Sequence, residues 1–163
     1  MAVDIFIIFA VWRWADWRNW RKYHATILFA GAMSLLYNVM TLTHNYFLWK
    51  LNPTFFTYTA EEIIHCFVFL PGTALLFLSR WPKKLSQQIK YLFKFIFIYF
   101  LVEVVFHYFG VIEYFHGWNA LFSLFFYCIM FPGLLLHHKK PGLAYPLFIL
   151  TLVLGVWFFK IPL

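Results

Sequence analysis

Apolar residues dominate the chain in five long runs that short polar stretches separate. The runs cover Thr26–Trp49, Glu62–Leu78, Tyr91–Ile112, Trp118–Leu136 and Ala144–Phe159. A helix of about 20 mostly apolar residues spans the core of a bilayer, and each run reaches or approaches that length. The pattern therefore predicts an all-α integral membrane protein with five long transmembrane helices.

A shorter apolar run opens the chain. It extends from Ala2 to Trp12, is interrupted by Asp4, and continues into a segment rich in tryptophan and arginine, which is typical of a membrane–water interface. The run is either a short sixth span or a helix that lies in the interface. As a helix, Ala2–Trp17 would be about 24 Å long, and this length favours the short span.

Composition indicates a single transmembrane helical domain over residues 1–163. Hydrophobic residues make up 64% of the chain and charged residues 12%, which is about half the charged share of a soluble domain. The net charge of +7 would suit nucleic acid, but the basic residues lie in loops between apolar runs. The predicted partner is therefore the lipid bilayer, and no nucleic-acid partner is expected. Of the two cysteines, Cys66 lies near the end of a predicted span and Cys128 in the middle of another, so a disulfide framework is not expected.

The basic residues fall almost entirely on one side of the predicted membrane. Eleven of the thirteen lie in three connections on that side: Arg13, Arg18, Arg21, Lys22, Arg80, Lys83, Lys84, Lys90, Lys94, Lys139 and Lys140. The other side holds only Lys50 and Lys160. The positive-inside rule makes the basic side cytoplasmic, and the C-terminus is then expected outside.

Proline–glycine pairs lie inside two of the runs, at Pro71-Gly72 and Pro132-Gly133. They are either two ordinary kinks or traces of a parallel internal repeat of helical hairpins. The His137–Lys140 run (HHKK) that follows the second pair is predicted to be a solvated loop that faces lipid headgroups.

Glutamates and histidines gather in the predicted outer half of the membrane. Glu62 precedes His65 by three residues and Glu103 precedes His107 by four, and both spacings place the pair on one helix face. His44, near the outer end of the first run, lies at a depth similar to that of His65 and His107. Carboxylates and imidazoles from different helices build metal sites in bundles and suit zinc, iron or manganese. Glu103, His107, His65, His44 and Glu62 are therefore the predicted ligands of a divalent metal or a proton.

Glu103 is the most informative of these residues because it lies deep in the apolar run FIFIYFLVEVVFHYF. An ionisable side chain at that depth costs about 2.5–3.5 kcal/mol on insertion and usually marks a functional or paired position. The alternative is a buried hydrogen bond that joins two helices. For Glu61, Glu62 and Glu113 the alternative is an ordinary loop residue or helix cap. A complete di-metal centre is not expected, because no set of four helices each supplies a glutamate.

Several stretches of the chain resemble a known family. They are WRWADWRNWRKYHATILF near the start, LLYNVMT and LWKLNP around the first outer loop, and HGWNALFSLFFYCIMFPGLLLHHKKP near the end. Together they resemble a family of small, uncharacterised multi-pass membrane proteins of spore-forming Bacillota, over nearly the whole chain. The resemblance implies the cytoplasmic membrane of a Gram-positive bacterium. It supplies no activity, ligand or catalytic residue.

Two functions are compatible with this sequence. The first is a small multi-pass protein of the bacterial cell membrane with an outward-facing Glu/His site for a proton or a divalent metal. The second is a non-catalytic subunit or interaction protein, acting with another membrane protein or as a homo-oligomer, whose polar residues only fix helix packing. An enzyme that uses a metal-bound water ranks last, because no serine or cysteine motif marks a nucleophile.

Overall fold

Helices form most of the structure, which is 77% helical. The computed structural model describes residues 2–53 and 56–162, with side chains from residue 6 onward. In chain order the helices and strands are α1 (Ala2–Trp14), α2 (His24–Thr43), β1 (Trp49–Leu51), α3 (Tyr58–Ile64), α4 (Leu70–Ser79), α5 (Leu85–Tyr108), β2 (Ile112–Tyr114), α6 (Ala120–Lys139) and α7 (Pro141–Phe159). A 3-10 segment covers Trp17–Lys22, and a π-helical turn at His65–Phe69 joins α3 to α4.

Four helices in the described part of the chain are long and apolar enough to cross a membrane. They are α2, the continuous helix Tyr58–Ser79 (α3, the π turn and α4), α6 and α7. The 24-residue α5, which carries Lys90, Lys94 and Glu103, is not among these four, and α1 has only 13 residues. The structure thus supports several membrane-crossing helices, whereas the predicted count of five spans plus a short sixth is not confirmed.

Two predicted spans extend too far, because helix stops come before their predicted ends. Both α2 and α5 finish before the predicted limits at Trp49 and Ile112. Just beyond each helix stands a residue with positive φ, Asn45 at 52° and Gly110 at 69°. The next residue's N–H then bonds to the carbonyl five residues back at 2.8 Å in both cases, which is the Schellman pattern that ends a helix.

The chain released by these stops forms a short antiparallel ribbon of β1 and β2. Trp49 pairs with Tyr114, and Leu51 pairs with Ile112. The end of the bundle that carries this pair is called here the ribbon end. The ribbon was not predicted, since both strands were assigned to helices or loops of an all-α chain.

The three basic segments meet at the other end, called here the basic end. Arg80 Nε donates to the carbonyl of Trp14 at 2.6 Å, and Lys139 Nζ lies 5.9 Å from the centre of the Trp81 ring. These contacts join the end of α1, the α4–α5 connection and the end of α6.

Aromatic packing holds α4, α5 and α6 together. Phe77 and Phe131 are fully buried, with ring centroids 5.0 Å apart, and Phe95 packs against both. Helix α7 is different, because Ala144 is its only buried residue among those described. The core therefore lies on the α4–α6 side of the bundle, and α7 packs against α6 with most of its surface exposed.

The π turn follows from Pro71. A proline has no N–H to offer to the carbonyl four residues back, and in this helix the turn before it widens so that the Leu70 N–H bonds to the His65 carbonyl. The helix also passes very close to α2, because a Cβ on Gly31 would lie 2.9 Å from the Cys66 carbonyl oxygen. The π turn and this close approach bring residues 62–66 next to α2, so that their side chains can contact it.

Candidate functional site

Glu103 is buried near the ribbon end, with both carboxylate oxygens bound by tyrosine hydroxyls. Its side chain is 8% exposed. The Tyr114 hydroxyl donates to Oε1 at 2.7 Å, and the Tyr127 hydroxyl donates to Oε2. One carboxylate on α5 thus connects β2 and α6.

Tyr114 is suited to this donation. It lies on the ribbon, outside the long apolar helices, and burial together with the hydrogen bond to Glu103 raises its pKa. The hydroxyl therefore keeps its proton and donates it to the carboxylate. A second polar contact lies close by, where Trp118 Nε1 donates to the Ser123 hydroxyl at 2.8 Å.

His107 supports this arrangement through Tyr114. Its ring stacks on the Tyr114 ring with centroids 4.2 Å apart, and its Nδ1–H donates to the Ile112 carbonyl oxygen at 2.9 Å. Among the described residues, no hydrogen bond joins Glu103 to His107. The two residues share one helix face as predicted, but they are linked through the ribbon.

Glu62 belongs to a second polar cluster, between α2 and α3. Asn38 Nδ2 donates to Glu62 Oε2 at 2.9 Å and also lies 3.5 Å from Cys66 Sγ. Cys66 in turn donates to the Ser34 hydroxyl at 3.2 Å, and Tyr58 hydrogen-bonds to Glu62. These polar contacts join α2 to α3 and to the π turn that follows it.

The other two predicted ligands are His65 and His44. His65, in the π turn, stacks on Phe69 with ring centroids 5.0 Å apart and lies 6.0 Å from the Trp49 ring. His44 is the exposed C-cap of α2. Within residues 2–53 and 56–162, no group of three histidine, cysteine, aspartate or glutamate side chains is arranged to hold a metal ion. A metal site formed by the five residues stays a prediction.

A cavity of about 760 Å³ lies beside Glu103. Apolar side chains form most of its wall, and the helices α2, α5, α6 and α7 all contribute. The carboxylates and the histidine that line it, Glu61, His65 and Glu103, lie in the half nearest the ribbon, and the tyrosines Tyr37, Tyr99 and Tyr127 line it as well. Towards the basic end the lining is apolar, with Phe29, Ala30, Gly133, Leu134, Leu136, Ala144, Leu147 and Phe148.

His137 is a buried polar residue that was predicted to lie in a solvated loop. The HHKK run was predicted to be a solvated loop, which is wrong for His137, because the run continues α6 as far as Lys139 and the His137 side chain is buried. Its Nδ1 lies 2.9 Å from the Thr26 hydroxyl, and its ring stacks on Phe29 at 4.1 Å. The buried Thr26 on α2 is the hydrogen-bond partner of His137. The two lysines directly after the histidines favoured a solvated loop, so nothing in the sequence indicated this contact.

No protein-family model matches the chain, and no curated protein or solved structure matches it either. What the chain does must therefore follow from its own residues, above all from Glu103 and the cavity beside it.

Proposed function

We propose that the chain is a multi-pass protein of a bacterial cytoplasmic membrane that binds a proton at Glu103. In this proposal α5 crosses the membrane with the four apolar helices, since 24 residues form about 36 Å of helix and the bilayer core is about 30 Å thick. The basic end faces the cytoplasm and the C-terminus lies outside, as the lysine and arginine distribution favours. The host would be a spore-forming member of the Bacillota, as the resemblance implies.

One observation carries the proton site. Glu103 is a buried carboxylate that faces a cavity, and its two hydrogen bonds come from neutral hydroxyls. Over the residues that the structure describes, no ion pair holds this carboxylate, so it can take up a proton without breaking a salt bridge. Tyrosine hydroxyls also accept hydrogen bonds, so a protonated Glu103 could donate to either tyrosine with little movement.

The other titratable groups around Glu103 fit this role. Tyr127 faces it from α6, Tyr114 from β2, and His107 lies one turn further along α5. Glu61 and His65 line the same cavity from the helix that starts at Tyr58. A proton that enters from the ribbon end would thus meet a series of exchangeable groups before it reaches Glu103.

Between the two predicted ligands, the geometry favours the proton over the metal. A transition metal of the predicted kind takes at least three protein ligands in most sites, and the described residues offer no such group. We therefore expect protein purified without chelator to contain divalent metal far below one ion per chain by elemental analysis.

The second candidate is a protein whose buried polar groups only fix helix packing. The contacts of Glu62 with Asn38 and of Glu103 with Tyr127 favour it, because each joins two helices. In that case Glu103 would keep one protonation state wherever the protein is folded. The two candidates therefore differ in whether Glu103 titrates.

Infrared difference spectroscopy on protein in lipid separates them. A step from high to low pH should produce a protonated-carboxyl band in the wild type that is lost in Glu103→Gln. Glu113→Gln is the matched control, because Glu113 lies on the ribbon, is exposed, and binds Asn52 Nδ2 at 2.8 Å. Identical difference bands in the wild type and Glu103→Gln would reject the proton site and favour the packing role.

A further inference from the structure

We infer that the cavity beside Glu103 holds a single-chain amphiphile whose polar end donates hydrogen bonds, as a hydroxyl or an amine does. This inference rests on the proposed function, since it assigns a ligand class to the cavity that Glu103 faces. Anionic amphiphiles such as fatty acids are excluded from the class.

The size and shape of the cavity suit a single hydrocarbon chain. Its volume of about 760 Å³ lies within the range of ligand sites, about 300–1,000 Å³. Its lining follows α7 from Ala144 to Phe159, which is about 22 Å along a helix axis. The half of the cavity nearest the basic end is apolar and would hold the hydrocarbon tail of the amphiphile.

Helix α7 contacts α2 at Phe148 and the segment that follows α2 at Phe159, which leaves space between these two contacts. Near the basic end, the Phe29 and Phe148 rings lie 5.8 Å apart. At the ribbon end, the Tyr46 hydroxyl donates to the Phe159 carbonyl at 2.8 Å. Exposed side chains of α7, among them Leu154 and Trp157, also line the cavity. The cavity therefore opens sideways, where a membrane would place lipid.

The charges decide which polar end fits. Glu61 and Glu103 line the ribbon half of the cavity, and none of the described lining residues is a lysine or an arginine. A carboxylate or phosphate placed there would meet two carboxylates, with the single imidazole of His65 and no lysine or arginine to offset them, which is unfavourable in a low-dielectric site. A hydroxyl can donate to Glu103, and an ammonium group can also pair with its charge.

The test uses three photoreactive probes of equal chain length that end in a hydroxyl, an amine or a carboxylate. Each is added to wild-type protein in lipid bilayers and crosslinked by light, and the labelled peptides are mapped by mass spectrometry. We expect the hydroxyl and amine probes to label cavity-lining peptides of α6 and α7, and the carboxylate probe to label them far less. Stronger labelling by the amine than by the hydroxyl would show that the charge of Glu103 contributes to binding. Equal labelling by these two probes would show that hydrogen bonding to Glu103 is sufficient.

Glycine variants supply the matched controls. Gly155 and Gly133 line the cavity, and a Cβ on either meets nothing within 4 Å, so Gly155→Leu and Gly133→Leu should each fill space and abolish the labelling. Gly142 also has nothing within 4 Å but lies outside the lining, so Gly142→Leu should label like the wild type.

Two results would overturn the inference. Equal labelling of the cavity by all three probes would reject the choice of polar end and make bulk lipid the occupant. Labelling that both filling variants leave unchanged would reject the cavity as the site. Neither result depends on whether Glu103 titrates, so failure here is distinguishable from failure of the proton site.

Discussion

Replacing Tyr127 by Phe, alone and together with Glu103→Gln, measures how strongly the hydroxyl holds the carboxylate. Glutamine keeps an oxygen that accepts from Tyr127, so the double-mutant cycle compares a charge-assisted hydrogen bond with a neutral one. Such bonds contribute about 1.5–3 kcal/mol and about 0.5–1.5 kcal/mol respectively. Because Glu103 is buried and Tyr127 donates directly to Oε2, the coupling should be about 1–1.5 kcal/mol at high pH.

The coupling should fall towards zero at low pH, because a protonated Glu103 resembles glutamine. The four proteins would be unfolded by sodium dodecyl sulfate in mixed micelles at both pH values, with helix content followed by circular dichroism. Tyr108→Phe is the matched control, since Tyr108 is on the same helix but is 83% exposed. Its cycle with Glu103→Gln should give no coupling at either pH.

Two outcomes of this cycle would count against the reasoning. Coupling near zero at high pH would mean that no ionised carboxylate accepts from Tyr127. Coupling of the same size at both pH values would mean that Glu103 does not change its protonation state and acts in helix packing.

Three further predictions concern other parts of the molecule. Gly31→Ala should destabilise the protein by about 1–3 kcal/mol in the same unfolding assay, because its Cβ would lie 2.9 Å from a backbone oxygen of the neighbouring helix. Gly142→Ala is the control and should leave stability unchanged, because a Cβ there meets open space. Equal effects of the two variants would refute the close approach. Thr26→Val should cost about 1–3 kcal/mol, because it leaves the buried His137 Nδ1 without its partner, and unchanged stability would show that the contact contributes nothing. A reporter that is active only in the cytoplasm should be silent when fused after Leu163, and strong activity there would reverse the proposed orientation.

Each of the five long apolar runs contains a helix, because a run of that length suits a helix that crosses a bilayer, but only four of these helices are long and apolar enough to span by length and composition in the described residues. The sequence also singled out Glu103, since a carboxylate within such a run demands a partner. It could not identify the partners, because Tyr114 and Tyr127 come from other elements. Any of the ten tyrosines could have supplied the hydroxyls.

The β ribbon was missed because apolar β-branched and aromatic residues suit helix ends and short strands equally. Asn45 and Gly110 were the available signals, since both residue types favour the left-handed conformation that ends a helix. The contact between His137 and Thr26 could not be predicted from the sequence, for a different reason. Its burial depends on Thr26, which is 111 residues away along the chain, and the following lysines favour a solvated loop.

The central claim is that Glu103 binds and releases a proton while it faces the cavity, and carboxyl-labelled glutamate tests it most directly. The chain has only four glutamates, so ¹³C labelling of their carboxyl groups gives four signals, and the one that disappears in Glu103→Gln is assigned at once. The account predicts that this signal moves between its ionised and protonated positions as the pH is lowered, and that Tyr127→Phe shifts the transition. A Glu103 signal that keeps one position over the whole pH range in which the protein stays folded would contradict the account.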